Sequence, residues 1–256
     1  MSKTLRLGDA EVGRIGLGTN RLKHTPENVA FIREAAAAGL THIDTAHLYT
    51  GGESEATIGA ALAGGGCEGC VVATKGGYRP GEGRPEVLRA QIEESRRRLG
   101  TEAIDLYYLH RVDPRTPLDE SLGAIDECRR RGQIRSIGIS EVSVEQIERA
   151  RSAVPIAAVQ NHYNLAERKH EAVVEHCARE GIPFVPYFPL RAEGAPALDE
   201  IAERYRATPA QVTLAWLLRH SPTTLPIPGT LSLDHLRENL GALELELTDA
   251  EYEALS

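Results

Sequence analysis

Residues 71–110 read VVATKGGYRPGEGRPEVLRAQIEESRRRLGTEAIDLYYLH. An apolar run over residues 71–75 comes first, a segment with helical spacing over 85–99 follows, and a second apolar run over 104–110 ends the stretch. Gly100 stands directly after the helical segment, where glycine commonly ends a helix in the left-handed conformation. Two apolar runs separated by a helix are typical of a parallel βαβ unit, in which both strands are buried on two faces.

The same alternation continues on both sides of this unit. Prolines at the first helical position, as in Thr25-Pro26 and Thr208-Pro209, favour helix starts. The predicted strands are residues 14–18, 41–44, 71–75, 104–110, 134–140, 157–160, 183–188 and 224–227. The predicted helices are residues 26–38, 53–62, 85–99, 118–131, 144–152, 167–180 and 195–218, the last broken near Pro209.

Eight strands that alternate with helices predict a closed (β/α)8 barrel, the TIM barrel, as a single α/β domain over residues 1–256. Residues 5–11 fit a small hairpin that turns at Gly8-Asp9 and closes the floor of the barrel. The alternative is an open doubly wound sheet, which favours a glycine fingerprint after its first strand. The one candidate, Gly16-Leu-Gly18-Thr-Asn-Arg21, lacks the third glycine, so the barrel is preferred.

Composition excludes several classes of protein. The 256 residues are 41% hydrophobic and 26% charged, which suits one sizeable core and excludes disorder. Because 29 basic and 37 acidic residues give a net charge of −8, a nucleic-acid partner is disfavoured. No stretch approaches the roughly 20 apolar residues that span a bilayer, and the first residues lack the apolar core of a signal peptide. We therefore expect a cytoplasmic protein without membrane association, either a monomer or a weak homo-oligomer.

The four cysteines do not predict a disulfide framework or a metal site. Cys67 and Cys70 form a CxxC motif, but it precedes an apolar run instead of opening a helix after a strand. A second pair that would complete a zinc site is absent from the sequence. We expect no metal.

Four chemically active side chains stand at or just beyond predicted strand ends. Asp44, Lys75 and His110 each end a strand, and Tyr49 follows Asp44 by five residues. In a barrel these ends meet at one mouth, where active sites form. The chain has only four lysines beside 25 arginines, so a lysine that ends a buried strand is more consistent with chemistry than with solubility.

This set of residues suits proton transfer. Asp44 would pair with the Lys75 ammonium, which otherwise would be an isolated buried charge. That ammonium would stabilise the Tyr49 phenolate and lower the pKa of its hydroxyl, so that Tyr49 could act as a general acid near neutral pH. His110 would orient and polarise a substrate carbonyl.

Each residue alone has a simpler interpretation. Asp44 before a turn is often a helix cap, and Tyr49 is more often a packing residue than a catalytic one. His110 alone is more often structural; the same holds for His42, His47 and His162. The joint placement of the four residues at one mouth favours a site.

Five motifs resemble the aldo-keto reductase family, in order and across essentially the full chain. They are Thr41-His-Ile-Asp44-Thr-Ala-His-Leu-Tyr49, Ala73-Thr-Lys75, Asp105-Leu-Tyr-Tyr-Leu-His110, Gly138-Ile-Ser140 and Val159-Gln160-Asn161. The resemblance implies a (β/α)8 barrel that uses a nicotinamide cofactor, usually NADPH, to reduce aldehydes and ketones. It also places the family's catalytic tetrad on Asp44, Tyr49, Lys75 and His110.

The resemblance extends to the cofactor. Ser140 and Gln160 would hold the nicotinamide carboxamide, and Tyr187 would stack beneath the ring. Glu141 stands where the family usually has asparagine, which would add a negative charge near the cofactor. The complete implied set is Gly18, Thr19, Asn20, Ser140, Gln160, Tyr187, Phe188, Pro189, Leu190, Ile227, Gly229, Thr230, Ser232, His235, Glu238 and Asn239.

The last part of this set is similar to a bacterial branch that includes pyridoxal reductases, through Pro-Gly-Thr230 and His235-Leu-Arg-Glu-Asn239. A 2′-phosphate could be held there by Thr230, Ser232, Arg237 and a helix N-terminus. NADPH is therefore preferred, with NADH as the alternative. Ordinary helix capping also explains Ser232 and His235.

The substrate would be a small aldehyde or ketone at an open mouth. Tyr78, Tyr163, Phe188 and Arg111 could line this mouth and suit a planar or polar aldehyde, pyridoxal being one example that rests on the resemblance. Two other functions remain open. The first is a redox sensor or regulatory subunit that binds the cofactor with negligible turnover, and the second is a lyase that uses Lys75 as a Schiff base.

Overall fold

The central sheet has six parallel strands that follow one another in chain order. The computed structural model describes residues 2–192, 195 and 197–255. Its sheet strands are β3 Leu17–Gly18, β4 His42–Asp44, β5 Val71–Gly76, β6 Ile104–Leu109, β7 Ile134–Ser140 and β8 Ile156–Gln160. Because the order shows no reversal, these strands do not form a doubly wound sheet. The predicted α/β class with a parallel sheet is confirmed.

Helices follow the strands and cover the outer face of the sheet. Proline at the first position and a capping box between Thr208 and Gln211 start the helix Pro209–His220, and a second box between Ser143 and Gln146 starts the helix Val144–Ala153. The helices are α1 Pro26–Ala37, α2 Glu53–Ala63, α3 Pro85–Leu99, α4 Leu118–Arg130, α5 Val144–Ala153, α6 Glu171–Glu180, α7 Leu198–Tyr205, α8 Pro209–His220, α9 Leu233–Gly241 and α10 Asp249–Leu255. Short 3-10 turns occur at Tyr49–Gly52 and Ala242–Glu244.

The helix boundaries differ from the prediction in three places. The helix expected from residue 167 begins at Glu171, because the Asn164 side chain accepts from the amides of Ala166 and Glu167 and holds this segment in a turn. The segment expected over 195–218 is broken near Pro209 as predicted, but its first helix begins only at Leu198 and ends at Tyr205, where Arg206 adopts φ 52°. Its residue 196 lies outside the described residues, as do 1, 193, 194 and 256. Helix α10 was not predicted, and α9 was implied only by the helix N-terminus expected near Ser232.

A hairpin of β1 Thr4–Leu7 and β2 Ala10–Gly13 precedes the sheet, as predicted. Gly8 adopts φ 61° at the turn, a conformation that glycine reaches without steric cost. Leu7 and Val12 of the hairpin pack into one apolar cluster with strand residues such as Val71. The hairpin thus covers the amino ends of the strands, which leaves the carboxyl ends for the site.

Alternating side chains of each strand enter two separate cores. On β5, Val71 and Ala73 join the inner cluster, whereas Val72 joins the larger outer core between the sheet and the helices. Burying one such valine or leucine stabilises the fold by about 1.5–3 kcal/mol. The same alternation directs Lys75 inward and Thr74 outward.

The two remaining predicted strands, over 183–188 and 224–227, appear only as single-residue parallel bridges. Phe184 pairs with Val159 and with Thr224, Tyr187 pairs with His162, and Gly229 pairs with Gly18. Prolines at 183, 186, 226 and 228 explain the interruption, because proline has no N–H to donate to a ladder. The expected strand at 14–18 is likewise short, and only Leu17–Gly18 is paired.

Among the described residues, the helices are too short or too polar for any of them to cross a lipid bilayer.

Candidate active site

A cavity of about 600 Å³ opens at the carboxyl ends of the strands. Parallel strands all end on this side, so the residues that follow them converge here. Of the predicted site residues, the cavity is lined by Gly18, Thr19, Asn20, Asp44, Tyr49, His110, Ser140, Gln160, Tyr187, Phe188, Pro189, Leu190, Ile227 and Gly229.

Lys75 and Asp44 form a fully buried ion pair beneath the cavity. The Lys75 Nζ atom donates to Asp44 Oδ1 at 2.5 Å and to the Thr45 carbonyl at 2.7 Å, and the two charged side chains are 0% and 2% exposed. Gln160 Nε2 donates to the second carboxylate oxygen at 2.9 Å. Asp44 is therefore a partner of Lys75 and Gln160, and helix capping does not explain it.

The charge state of Lys75 follows from this pair. Burial lowers the pKa of Lys75, but the Asp44 carboxylate and the Tyr49 hydroxyl outweigh burial, so the pKa is raised above its ordinary value. A buried amine with a raised pKa stays protonated at neutral pH. This state disfavours the lyase alternative, because a Schiff base forms from the neutral amine.

Tyr49 lies beside this ammonium at the start of the 3-10 turn Tyr49–Gly52. The Lys75 Nζ atom is 5.1 Å from the centre of the Tyr49 ring. Burial raises the pKa of Tyr49, and Lys75 lowers it by a smaller amount, so the pKa is raised overall. The expected lowering effect of Lys75 is present, but burial outweighs it, and the sequence does not show how deeply the hydroxyl is buried. At neutral pH Tyr49 holds its proton.

His110 faces the same space as a neutral imidazole. Its ring lies edge-on to Tyr49, with ring centres 6.2 Å apart, and 4.9 Å from the ring of Tyr78. Burial, together with the smaller effects of the nearby Lys75 and Arg111 charges, lowers the pKa of His110 to about 2. Its Nδ1 atom is buried without a hydrogen-bond partner among the described residues.

One wall of the cavity is formed by Ser140, Gln160 and Tyr187, the residues expected to hold a nicotinamide. The Tyr187 ring is half-buried and stacks on His162 at 5.2 Å. Phe188 adopts φ 52° and is 48% exposed at the rim. The wall therefore offers a fixed aromatic face beside two buried polar side chains.

Five predicted cofactor residues do not line this cavity: Thr230, Ser232, His235, Glu238 and Asn239. They follow Gly229, which does, and lie at or within α9. The Ser232 hydroxyl accepts from the His235 amide at 3.4 Å and caps α9, so the capping interpretation of this pair is confirmed.

Glu141 is held in a left-handed conformation, φ 56°, that asparagine adopts more readily than glutamate. Its Oε1 atom accepts from the His162 amide at 2.7 Å, and its Oε2 atom lies 3.7 Å from His170 Nε2. Burial raises the pKa of Glu141, but hydrogen bonds from His170, the His162 amide and Tyr187 outweigh it and lower the pKa to about 2. Glu141 is thus an anion that is hydrogen-bonded to the Tyr187 side chain and does not line the cavity.

Sequence reasoning missed four lining residues, among them Pro228 between Ile227 and Gly229, and misplaced one more. Arg21, Leu48 and Arg191 line the cavity, and each directly follows or precedes a predicted site residue, which is the signal that could have found them. Tyr163 was expected at the mouth, but it is only 1% exposed and its hydroxyl bonds to Glu171 at 2.6 Å. Tyr78 and Arg111 lie at the mouth as expected.

The cysteine motif does not line the cavity. The Cys70 Sγ atom donates to the Leu40 carbonyl at 3.1 Å, and burial raises the pKa of Cys70 to about 11. Over residues 2–192, 195 and 197–255, no three His, Cys, Asp or Glu side chains cluster as metal ligands would.

A buried Lys–Asp pair thus lies beside a tyrosine at the carboxyl edge of the parallel sheet. The aldo/keto reductase family model matches residues 14–195 and 189–256, and the chain belongs to this family. It is 34% identical to pyridoxine 4-dehydrogenase of Escherichia coli (strain K12), over 97% of this chain and 95% of the relative.

Two solved structures resemble this one closely. The thermostable aldo-keto reductase Tm1743, in complex with the inhibitor epalrestat, has a TM-score of 0.91 and 36% identity, with 98% of each chain covered. An aldo/keto reductase of Klebsiella pneumoniae, in complex with NADP and acetate, has a TM-score of 0.88 and 31% identity, covering 100% of this chain and 94% of that one.

Proposed function

We propose that this protein reduces an aldehyde or ketone to an alcohol with NADPH, and that Tyr49 donates the proton. The observation that carries the proposal is the buried Lys75 ammonium, paired with Asp44 and 5.1 Å from the centre of the Tyr49 ring, at the edge of a cavity. The complex of the Klebsiella relative with NADP supports the choice of cofactor.

The residues of the cavity fit a nicotinamide dinucleotide. Ser140 and Gln160 offer a hydroxyl and an amide to a carboxamide, and Tyr187 offers a ring face for stacking. Arg21 and Arg191 are exposed at the cavity and have no carboxylate within 4.0 Å in the described part of the chain, which suits them to phosphate groups. The bound cofactor supplies the hydride.

The protein's own groups supply the proton and hold the carbonyl. Tyr49 keeps its proton at neutral pH because its pKa is raised, and so it is ready to protonate the carbonyl oxygen. Lys75 stabilises the phenolate that remains, since it lowers the pKa of Tyr49 against the effect of burial. Asp44 keeps Lys75 in place and charged, and neutral His110 orients the carbonyl without adding a competing acid. The reverse reaction, alcohol oxidation, uses the same groups.

We further propose that the sheet closes as an eight-stranded barrel in one domain. The bridges through Phe184, Tyr187, Thr224 and Gly229 run from β8 to β3 and are all parallel, which supports closure. Backbone bonds from Val185 to Val159 at 2.8 Å and from Gly18 to Pro228 at 3.1 Å support it further.

The test is to titrate the protein with NADPH and NADH separately while following the fluorescence of the reduced cofactor. Oxidation of the bound cofactor is then followed over a panel of aldehydes and ketones. We expect tight binding of NADPH and turnover with at least some carbonyl compounds. Binding without turnover of any compound would favour the sensor alternative. If neither cofactor binds, both the reductase function and the sensor function are wrong.

A further inference from the structure

We infer that Arg111 selects carbonyl substrates that carry an anionic group, a carboxylate or a phosphate, on a planar frame. This inference rests on the proposed reductase function and names the substrate class of that site. It starts from the position of Arg111, directly after His110 at the cavity mouth.

The Arg111 guanidinium lies close to the reacting groups. Its Nη1 atom donates to the His110 carbonyl at 2.8 Å and to Ser140 Oγ at 3.3 Å, and its Nη2 atom lies 3.5 Å from the Tyr187 hydroxyl. Its carbon centre is 5.4 Å from the Tyr78 ring and 5.9 Å from the Tyr187 ring. The positive charge is therefore held by neutral oxygens between the two aromatic walls of the mouth.

Within the described residues, Arg111 has no carboxylate within 4.0 Å. The charged groups that act on the same space are Lys75, Asp44 and Glu141. Asp44 is occupied by Lys75 and Gln160, and the carboxylate of Glu141 is bonded to the His162 amide and lies near His170. A half-buried guanidinium with five N–H donors and only neutral acceptors has capacity left for a forked anion.

The charge of the residues that line the cavity supports this inference. The chain carries a net charge of −8, yet the charged residues that line the cavity are three arginines and the single carboxylate of Asp44, already paired. Arg21 and Arg191 adjoin residues proposed for the cofactor, and their charge suits its phosphates. Arg111 follows His110 and also bonds to Ser140 and Tyr187, which are proposed for the nicotinamide, so its charge lies next to the reacting groups, and we assign its remaining N–H groups to the substrate.

The aromatic residues at the rim of the cavity indicate which kind of substrate skeleton carries the anionic group. Tyr78 and Phe188 are 44% and 48% exposed, although large apolar side chains are usually buried, and both line the cavity. Tyr78 lies beside the Arg111 guanidinium and Phe188 beside that of Arg191. Two exposed aromatic rings at the rim suit a planar or aromatic carbonyl compound, since ring faces stack on such frames.

The experiment compares matched aldehydes with and without a charge. One pair is para-carboxybenzaldehyde and its neutral methyl ester, and the other is para-formylphenyl phosphate and para-methoxybenzaldehyde. For each pair, the ratio of kcat/KM for the charged compound to that for the neutral one is measured with NADPH. The first pair reports on carboxylates and the second on phosphates.

We expect the wild-type ratio to exceed one for at least one pair and to fall about 10- to 100-fold in Arg111→Gln, the range of a charge-assisted hydrogen bond. Arg111→Lys should keep part of the ratio. Arg21→Gln is the matched control: it removes a guanidinium from the same cavity and should weaken NADPH binding without changing the ratio.

Other outcomes overturn the inference. An unchanged ratio in Arg111→Gln means that Arg111 does not select the anion. An equal loss with charged and neutral compounds, together with weaker NADPH binding, means that Arg111 only positions Ser140 and Tyr187. If NADPH binds but the wild type reduces none of the compounds in either pair or in the wider panel, the proposed function itself fails and the inference falls with it.

Discussion

On β5, the neighbours Thr74 and Lys75 face opposite sides of the sheet, and each reaches a buried carboxylate. Outward, Thr74 Oγ1 donates to Glu55 Oε1 at 2.6 Å, and Arg98 pairs with the same carboxylate at 3.1 Å. Inward, Lys75 donates to Asp44 at 2.5 Å. Glu55 and Asp44 are 0% and 1% exposed, so the two sides bury the same kind of charge.

The two sides differ in what lies next to the charge. The outward carboxylate is enclosed by α2 and α3, and neither Glu55 nor Arg98 lines the cavity. The inward carboxylate lines the cavity and shares Lys75 with the Tyr49 hydroxyl. A buried ion pair therefore does not define a site by itself; access to a cavity and a group that can exchange a proton do.

The largest effect should come from removing the proton donor on the inward side. Tyr49→Phe deletes only the hydroxyl, and we expect kcat/KM for carbonyl reduction to fall by about 10²- to 10⁴-fold, the usual contribution of a general acid. NADPH affinity, measured by fluorescence titration, should stay within about 3-fold, because the hydroxyl is assigned only to proton transfer. Turnover near the wild-type value would show that another group is the acid.

Lys75→Met breaks the inward pair and leaves the Asp44 carboxylate buried without its cation. We expect a loss of about 3–5 kcal/mol in the free energy of unfolding, the usual cost of such a break, together with a large loss of activity. Urea unfolding can be followed by the fluorescence of Trp216, the single tryptophan, which is fully buried. Lys23→Met, which changes an exposed lysine, is the control and should leave stability within about 0.5 kcal/mol.

Glu55→Gln tests the outward side. The amide can still accept from Thr74, but it loses the charge that faces Arg98, so we expect a loss of about 1–3 kcal/mol in the free energy of unfolding. The same urea measurement gives this value. Carbonyl reduction by the folded variant should stay close to wild type, since Glu55 does not reach the cavity. A loss of activity as large as that of Tyr49→Phe would contradict the claim that only the inward carboxylate takes part in the reaction.

The inward side could be predicted from the sequence and the outward side could not. Asp44, Lys75 and His110 end consecutive buried strands, and parallel strands bring such ends together whatever the helices do. The contact of Arg98 with Glu55 depends on how α3 docks on α2, which strand and helix patterns do not specify. The overall pKa of Tyr49 was missed for the same reason, because the depth of burial is a property of the packed structure.

Prolines, and contacts between residues far apart in the sequence, explain other differences between the prediction and the structure. The segments around Phe184 and Thr224 have the apolar pattern of strands, but their prolines limit them to single bridges. Tyr163 follows a strand end closely enough to suggest the mouth, yet it packs against Trp216 and bonds to His220, both of which lie on α8. Helices α9 and α10 are short, at nine and seven residues, and their apolar residues are too few for a clear pattern.

The smallest predicted effect is on the stability of the protein at acidic pH. It compares His110 on the inward side with His47 on the outward side. The pKa of His110 falls from 6.5 to about 2 on folding, mainly because of burial. Below pH 6.5 the unfolded chain therefore binds a proton that the folded protein does not bind until about pH 2. Stability must fall with decreasing pH across this window, by about 1.4 kcal/mol per pH unit for one such group.

His110→Gln should remove this contribution, so that the free energy of unfolding declines less steeply between about pH 5.5 and pH 4.5, by about 1.4 kcal/mol per unit. On the outward side, burial also lowers the pKa of His47, although the Glu55 carboxylate opposes the effect. His47→Gln should flatten the decline by a smaller amount, because a nearby carboxylate makes protonation of the folded state easier. Equal slopes for His110→Gln and wild type in urea unfolding would mean that folding does not lower the pKa of His110 below this pH range, and the lowering of its pKa by burial would then be wrong.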